Sequence, residues 1–291
     1  MIVNDGSSDN GATEDIALSY KDQVLYFAKG NGGVSSALNY AMQHVSGEWF
    51  SWLSHDDLYS PDKIAKQVEL LSHLFAQSEM LSSSKRVVVF SDSSLIDAAG
   101  KTIPKQQKSL NTPNDSTLDI ILNNLRRNNL MGCTFLVPRL SFDEVGEFDE
   151  DLRAVQDFDF WYRLLFAGYT FKYLPEKLVA FRVHSRQVTF SIPDRIKEEQ
   201  HLFYKQIVMK LGNHECYGTF HTMFTLGCYL AERGNEPEAV RIAFQLAKKQ
   251  SSLLKYSILS IIIRPWAVLY GYTRFLLKKL YFTFIIHRGG R

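Results

Sequence analysis

The chain has 291 residues, of which 45% are hydrophobic and 22% are charged, and its net charge is +2. This composition allows one large domain or two smaller ones with a sizeable core, and it excludes a chain that is disordered throughout. Cys133, Cys216 and Cys228 show no CxxC or metal-ligand spacing, which favours free thiols in a reducing compartment. No basic region followed by an apolar segment begins the chain, so no secretion signal is predicted.

Strand and helix patterns alternate along the first half of the chain. Short apolar runs predict strands at residues 1–4, 24–27, 49–53 and 87–90. Helical spacing predicts a helix over residues 35–44 and a second one that begins at Pro61, with Ser60 as its cap. This alternation indicates an α/β fold with a mixed, mainly parallel sheet and helices packed on its faces.

Three polar segments directly follow the first three predicted strands. They are DGSSD from Asp5, KGNGG from Lys29 and SHDD from Ser54. In sheets of this kind, ligands lie beyond the carboxyl ends of the strands, where loops supply the chemistry. The sheet should therefore gather these three segments along one edge.

The adjacent carboxylates Asp56 and Asp57 stand between the strand WFSWL and the helix expected after Ser60. Such oxygens suit Mg²⁺ or Mn²⁺, which keeps few protein ligands and takes the rest of its shell from water and substrate phosphates. A departing diphosphate would use that ion, because negative charge builds up on it as its bond breaks. The alternative is a solvated turn that begins the helix, with Asp62 favourable to the helix dipole.

Four segments in order resemble one enzyme family. VNDGSSD, NGGVSSALN, GEWFSWLSHDD and VGEFDEDLRAVQDFDFWYRLLFAGYTFKYLPEKLVAFRVH are similar to the family 2 inverting nucleotide-sugar glycosyltransferases, which have the GT-A fold. The resemblance covers about residues 1–190. It implies a Rossmann-like GT-A domain, a nucleotide-sugar donor, a hydroxyl acceptor and a requirement for Mg²⁺ or Mn²⁺.

On the donor side, the resemblance assigns a role to five residues. Asp5 matches the aspartate that contacts the nucleotide base, although without the family it reads as a turn-capping residue. Gly32 and Gly33 match the loop that passes close to the nucleotide, where a missing Cβ permits the approach. Asp57 matches the direct metal ligand, and Asp56 matches a ribose or metal contact.

On the acceptor side, Asp157 matches the catalytic base, which takes the proton of an acceptor hydroxyl as its oxygen attacks the anomeric carbon. A single displacement of this kind inverts that carbon. Asp157 also falls in the first turn of a helix that Gly168 should end, so a carboxylate stabilising the helix start is the plain alternative. His184 matches a histidine that in some relatives contacts the pyrophosphate or its metal, and its alternative is a structural role.

The chain departs from the family pattern in several places. The family's first strand is absent, which would expose apolar surface, so we expect this chain to be unstable or poorly active unless upstream residues are restored. Ser54 replaces the first aspartate of the common D-x-D-D form, Leu38 replaces an arginine, and Gln156 replaces a glutamate. Asp57 and Asp157 are retained, so the chemistry is still expected.

From about residue 194 the pattern changes to long helices. We therefore predict a GT-A-like domain over residues 1–193 and a helical region over residues 194–291. FHTMFTLGCYLAERGNEPEAVRIAFQLAKKQ predicts a helical hairpin with its turn at Gly234–Asn235. After Glu238 there are ten Lys or Arg residues and no acidic ones, so the last 53 residues carry +10, whereas 23 basic and 31 acidic residues give the first 238 a charge of −8.

Residues 252–287 are rich in aliphatic and aromatic residues, but basic residues and Pro265 interrupt them, so a membrane-spanning helix is not expected. Apolar bulk with basic residues and no acids fits a helix that lies on an anionic membrane surface. The alternative is a helix pair packed against the catalytic domain. Nucleic-acid binding is a weaker reading, because no recognised motif accompanies the charge.

Together these features predict a hexosyltransferase-type enzyme on the cytoplasmic, inner face of the membrane. It would act on a glycan or lipid-linked acceptor in cell-surface polysaccharide or lipopolysaccharide synthesis. A nucleotidyltransferase also binds nucleotide and metal beside a sheet edge, but it would release pyrophosphate. An inactive scaffold would be indifferent to Asp57→Ala and Asp157→Ala. A glycoside hydrolase ranks lower, because its carboxylate pair needs no metal and no Gly-rich loop.

Overall fold

The computed structural model describes residues 1–104, 116–127, 130–185, 187, 192–234, 236–250 and 269. Within these ranges the expected alternation of strands and helices is confirmed. The strands are β1 (Ile2–Asp5), β2 (Tyr26–Lys29), β3 (Trp49–Phe50), β4 (Leu58–Tyr59), β5 (Val87–Ile96), β6 (Thr102–Ile103), β7 (Phe135–Pro138) and β8 (Thr170–Arg182). The helices are α1 (Ala12–Ser19), α2 (Val34–Met42), α3 (Lys63–Gln77), α4 (Glu79–Ser84), α5 (Thr117–Arg127), α6 (Leu140–Val145), α7 (Gln156–Phe166), α8 (Pro193–Gly212), α9 (Phe220–Arg233) and α10 (Pro237–Lys249).

These strands form two sheets. β1 and β2 pair in parallel and stand apart from the larger sheet, whose order is β3-β7-β5-β8-β4, with β6 on β5. The longest ladder joins β5 to β8 in parallel, whereas the pairings of β3 with β7, β4 with β8, and β5 with β6 and β7 are antiparallel and span two residues each. The α/β prediction of a mixed sheet with flanking helices is confirmed, and the longest pairings are parallel.

All four predicted strands differ in extent from the sequence prediction: β1 lies one residue later, and β5 continues six residues further, to Ile96. β2 lies two residues later than predicted, because its parallel register with β1 continues to the pair of Asp5 and Lys29. β3 ends at Phe50, because beyond it a side chain replaces the main chain as the partner of β7. The Ser51 hydroxyl donates to the Phe135 carbonyl at 2.6 Å. The predicted strand over residues 49–53 is therefore too long.

The chain does not pass directly from the two aspartates into a helix. The short strand β4 stands between them and pairs with β8, with Leu58 opposite Ala180. Helix α3 begins at Lys63 rather than at the predicted Pro61. The reason is a turn over residues 60–63, in which the Lys63 N–H donates to the Ser60 carbonyl at 3.0 Å.

An aromatic stack occupies the core between the larger sheet and α7. Phe135 of β7 stacks on Trp161 of α7 with 3.9 Å between ring centroids, and Trp52 stacks on the same indole at 5.5 Å. Trp161 is fully buried. The segment that leads to Asp56 and Asp57 is thus anchored to the hydrophobic core by Trp52, only four residues before the first carboxylate.

The helical region packs directly on this core. Phe203 of α8 meets the edge of Tyr162 of α7, with 5.2 Å between ring centroids, and one buried cluster runs from Met42 to Ala247. The predicted boundary after residue 193 falls at the start of α8, and the core crosses it. Gly234, in the left-handed conformation, ends α9 and confirms the turn of the predicted hairpin.

The basic C-terminal segment predicted to lie on a membrane, residues 252–287, falls outside the described residues except for Leu269. Among the helices that are described, none combines the length and the apolar character needed to cross a bilayer. Asn235, the second residue of the predicted hairpin turn, is also outside the described part of the chain.

Candidate active site

Asp5 lies at the end of β1, and its carboxylate binds the glycine loop (residues 30–33) that follows β2. The N–H groups of Gly32 and Gly33 donate to it at 3.0 and 2.6 Å, and the Lys29 ammonium donates at 2.9 Å. The parallel register of β1 and β2 sets Asp5 opposite Lys29, which is why the two strand ends meet. The structure therefore brings Asp5, Gly32 and Gly33 together, with Asp5 shaping the backbone of the glycine loop.

Gly33 occupies a position that only glycine accepts easily. Its φ of +87° is one that other residues rarely adopt, and a Cβ there would lie 1.8 Å from a terminal nitrogen of Arg153. The guanidinium of Arg153 donates to the Gly32 carbonyl. The glycine loop is thus held by Asp5 through its N–H groups and by Arg153 through a carbonyl.

Asp56 and Asp57 lie against the end of β8. The antiparallel register of β4 and β8, extended by two residues, places Asp56 opposite Arg182. The Arg182 N–H donates to Asp57 Oδ1 at 3.0 Å, and the Arg182 side chain donates to the Asp56 carbonyl at 2.8 Å. His184 Nε2 lies 3.0 Å from Asp56 Oδ2. The predicted residues Asp56, Asp57 and His184 therefore meet at one place.

The Asp57 carboxylate is buried, with 8% of the residue exposed. Burial raises the pKa of Asp57 to about 6; the bond from the Arg182 N–H opposes this rise, and the charge of Asp56 adds to it. Among the described residues, the contact of Asp57 Oδ2 is the Cys133 thiol at 3.7 Å, a weak donor. A buried carboxylate oxygen with so weak a partner is one that a bound cation would stabilise.

Asp157 is the second residue of α7. The Phe158 N–H donates to its Oδ1 at 2.8 Å, but burial dominates and raises the pKa of Asp157 to about 6. Gly132 lies beside it: a Cβ there would be 3.2 Å from Asp157 Oδ2 and 2.5 Å from the Trp52 ring. A carboxylate with this pKa is a stronger base than an exposed one and is still ionised at neutral pH.

Cys133 lies beside the buried Asp57, and Asp157 is half-buried next to the preceding residue, Gly132. The Cys133 Sγ lies 3.7 Å from Asp57 Oδ2. Burial raises the pKa of Cys133 to about 12, and the negative charges of Asp57 and Asp157 both contribute to the rise. Asp57 contacts Cys133 and Asp157 lies beside the adjacent Gly132, so the fold brings the two carboxylates to neighbouring residues although 100 positions separate them in the sequence.

The donor atoms beside β8 suit a hard cation that takes most of its ligands from water and substrate and only a few from the protein. In the described part of the chain, no group of three or more His, Cys, Asp or Glu side chains is arranged to hold a metal ion. Mg²⁺ commonly binds through one or two protein carboxylates, with water and substrate phosphates as its other ligands. Asp57 Oδ2, with its weak partner, and the neighbouring pair of Asp56 and His184 match that kind of site.

Sequence reasoning does not single out Lys29, Arg153 or Arg182. Lys29 carries a recognisable signal, because it ends a strand immediately before a glycine-rich loop, as Asp5 ends the strand before it. The two arginines carry none. Arg153 reaches Gly32 across 121 positions and Arg182 reaches Asp56 across 126, so only the tertiary structure reveals these contacts.

A fully buried lysine, Lys63, supports the segment that carries the aspartates. Its ammonium donates to Ser51 Oγ and to Gln67 Oε1, each at 2.9 Å, and to the Phe135 carbonyl at 3.3 Å. Burial lowers the pKa of Lys63 to about 8. Lys63 thus ties the start of α3 to β7 and to the chain just before Trp52.

The sequence of this chain is similar to glycosyltransferases. Residues 1–124 match the family described as Glycosyl transferase family 2. A protein named as an uncharacterized glycosyltransferase of Rickettsia typhi is 39% identical over 207 residues, which are 70% of this chain and 60% of that protein. The putative teichuronic acid biosynthesis glycosyltransferase TuaG of Bacillus subtilis is 26% identical over 196 residues, 65% of this chain and 69% of TuaG. The chain spans 34% to 60% of the length of the Rickettsia relatives that it matches.

The architecture also matches a solved structure. The crystal structure of S. aureus TarS 1–349 in complex with UDP-GlcNAc aligns with a TM-score of 0.58 over 96% of this chain and 81% of that one. At 15% identity, this likeness establishes the fold alone. The chain therefore has the GT-A glycosyltransferase fold, and its residues 1–124 match glycosyl transferase family 2.

Proposed function

We propose that the chain is a metal-dependent inverting glycosyltransferase that moves a sugar from a nucleoside-diphosphate sugar to a hydroxyl acceptor. The observation that carries this proposal is that Asp57 contacts Cys133 while Asp157 lies beside the preceding residue, Gly132. In a single displacement, the leaving diphosphate and the attacking hydroxyl act on opposite faces of one carbon. A cation ligand and a base are therefore needed close to each other, held in a fixed geometry.

The donor nucleotide is assigned to the glycine loop. Because Gly32 and Gly33 lack Cβ atoms, Ser36 and Arg153 pack closely against the loop and hold its backbone in the shape that we assign to nucleotide binding. Asp5 already binds three donors of this region, so its main role is to shape the loop, and its predicted contact with the base stays a prediction. Asp56 is assigned to the ribose. A TarS structure holds UDP-GlcNAc, which supports a nucleotide-sugar donor for this fold.

Mg²⁺ or Mn²⁺ would be held by Asp57, with His184 on the same side. A bound ion supplies stabilisation of the negative charge that develops on a leaving diphosphate. Asp57 is suited to hold it because burial destabilises its ionised form, and a cation would relieve that cost. The Arg182 N–H fixes the other oxygen of the same carboxylate.

Asp157 is assigned as the base. One of its oxygens accepts the proton of the acceptor hydroxyl while the hydroxyl oxygen forms its bond to the anomeric carbon and the bond to the diphosphate breaks. Proton transfer to a carboxylate must occur within this transition state, because an alcohol is far too weak an acid to lose its proton beforehand. Gly132 keeps the space beside the carboxylate free of a side chain.

The acceptor is assigned to the glycans or lipid-linked precursors of cell-surface polysaccharides. The name of TuaG, which places that protein in teichuronic acid biosynthesis, supports this class. Ten basic residues and no acidic ones after Glu238 support peripheral binding to the anionic inner face of the membrane. Flotation with vesicles that contain or lack anionic lipid tests this, and equal recovery of the chain and of a variant ending at residue 250 would contradict it.

The deciding experiment is a screen of nucleotide sugars with Mn²⁺ or with EDTA. We expect release of nucleoside diphosphate that EDTA, Asp57→Asn and Asp157→Asn each abolish. Asp159→Asn is the matched control, because Asp159 lies one turn into the same helix and pairs with Arg163 at 2.8 Å. Release of pyrophosphate would instead identify a nucleotidyltransferase, and absence of any turnover would favour a scaffold.

A further inference from the structure

A bridging segment (residues 148–155) lies between the glycine loop and helix α8 and leads directly into α7. On the side of α2, it is held by a pair of hydrogen bonds with Asn39. The Asn39 amide donates to the Phe148 carbonyl at 2.9 Å and accepts from the Phe148 N–H at 2.9 Å. Asn39 is 3% exposed, so water does not compete for these bonds. The bridging segment is therefore fixed to the helix that follows the glycine loop.

On the opposite side, a single carboxylate of α8 holds the bridging segment. Glu199 accepts the Arg153 N–H at 3.0 Å on both of its oxygens and the Ala154 N–H at 2.8 Å. Arg195, one turn earlier on α8, donates to Glu199 at 2.9 Å and to the Asp151 carbonyl at 2.7 Å. Burial pushes the pKa of Glu199 upward, but these bonds outweigh it and the pKa lies below its usual value. Glu199 is thus ionised and fully engaged.

Both the main chain and the side chain of Arg153 form hydrogen bonds. Its backbone N–H is held by Glu199, and its guanidinium donates to the Gly32 carbonyl of the glycine loop. The guanidinium fills the space that a side chain of residue 33 would need. Since its main chain is anchored on α8 and its side chain on the glycine loop, Arg153 transmits the position of α8 to that loop.

We propose that Glu199 is a positioning residue of the donor site, which sets Arg153 on the glycine loop so that α8 takes part in nucleotide binding. This inference rests on the proposed function, which makes the glycine loop the nucleotide-binding loop. Without the Glu199 carboxylate, the N–H groups of Arg153 and Ala154 lose their acceptor, and the bridging segment relaxes toward water. Arg153 then no longer holds the Gly32 carbonyl.

The test compares Glu199→Ala, Glu199→Gln and Arg153→Ala in the full chain. Hydrogen exchange of residues 30–33 reads the loop directly, and calorimetric titration with UDP and Mg²⁺ reads nucleotide binding. We expect Glu199→Ala to speed exchange in the glycine loop about tenfold and to weaken UDP binding about tenfold. If a donor turns over, its KM should rise while kcat stays within about threefold. Glu199→Gln keeps the shape and one acceptor oxygen, so its effect should be smaller.

The matched control is Glu198→Gln, which neutralises the exposed neighbour of Glu199 on the same helix and should change neither readout. Arg153→Ala should reproduce the Glu199→Ala effect, and the double variant should be no worse than either single one, because both act through the same contact. If Glu199→Ala does not fold, Arg153→Ala still tests the inference.

Unchanged exchange in residues 30–33 of Glu199→Ala would overturn the inference, as would loosening that is equally large in α7, which would indicate a merely structural role. If the unmodified chain binds neither UDP nor any other nucleotide, the proposed function fails. The exchange rates of the glycine loop would still decide whether Glu199 positions it.

Discussion

The carboxylate beside the glycine loop and the two beside Gly132 and Cys133 are held in opposite ways. Asp5 accepts hydrogen bonds from two backbone N–H groups and from a lysine. Asp57 and Asp157 have fewer strong partners and are surrounded by protein, so burial raises the pKa of each to about 6. The first arrangement stabilises a backbone shape, whereas the second keeps carboxylates ready to take a cation or a proton.

This difference separates the expected effects of substitution. Changes at the glycine loop should alter nucleotide binding, because they alter the shape of the loop. Changes at Asp57 and Asp157 should alter turnover, and the loss of a charge there should even stabilise the fold. Substitutions at Asp57 and Asp157 are therefore expected to change activity and stability in opposite directions, whereas substitutions in the glycine loop are not.

The largest effect is expected for Asp157→Asn. Loss of the base should lower kcat about 10²–10⁴-fold. The same substitution should raise the free energy of unfolding at pH 7 by about 1–2 kcal/mol, because the ionised form is disfavoured in the folded state. Steady-state kinetics and urea unfolding measure the two quantities. Asp159→Asn is the control, and a loss of stability in Asp157→Asn would contradict the account of this region.

The second prediction concerns Lys63. Lys63→Ala should lower the free energy of unfolding by about 3 kcal/mol, because Ser51, Gln67 and Phe135 each lose a buried donor. Lys63→Met, which keeps the length of the side chain, should cost less. Thermal or urea unfolding measures both. Lys66→Met is the matched control, since Lys66 pairs at the surface with Asp62 at 2.9 Å and should contribute little to stability.

A smaller effect is expected for Gly33→Ala, on the glycine-loop side. An alanine at φ +87° and ψ 176°, a combination nearly confined to glycine, is strained by about 1–3 kcal/mol, and its Cβ meets the Arg153 guanidinium. We expect weaker UDP binding with kcat at saturating donor nearly unchanged. Gly168→Ala is a control for backbone strain alone, because φ there is +85° but no atom lies within 4 Å of its added Cβ. Equal UDP affinity in the two variants would show that the contact with Arg153 does not matter.

The last and smallest effect is expected for the pH dependence of kcat/KM. With saturating Mn²⁺, kcat/KM should fall tenfold per pH unit below about pH 6, because Asp157 must be unprotonated to act as the base. The stability contribution of Asp157 has the opposite sign. Its pKa is higher in the folded than in the unfolded chain, so folding is favoured progressively as pH falls from about 6 toward the ordinary value of 3.8. A kinetic midpoint near pH 4 would contradict the raised pKa of Asp157.

Much of the fold was predictable because its signals are local. Short apolar runs and helical spacing predicted the order of four strands and two helices in the first half of the chain, and Gly234 predicted the turn of the C-terminal hairpin. The errors lie where pairing partners decide. The short strand β4 exists because β8 lies beside it, and β3 ends early because the Ser51 hydroxyl replaces a main-chain bond.

The sequence by itself determined which residues are the candidates for the chemistry: carboxylates at strand and helix ends, and a glycine loop after a strand. Only the tertiary structure decided that Asp57 contacts Cys133, that Asp157 lies beside Gly132, and that Glu199 of α8 holds Arg153 against the glycine loop. The physical reason is that burial and hydrogen-bond partners are properties of packed neighbours. Here those neighbours lie from 25 to 121 positions apart along the chain, beyond the reach of any local pattern.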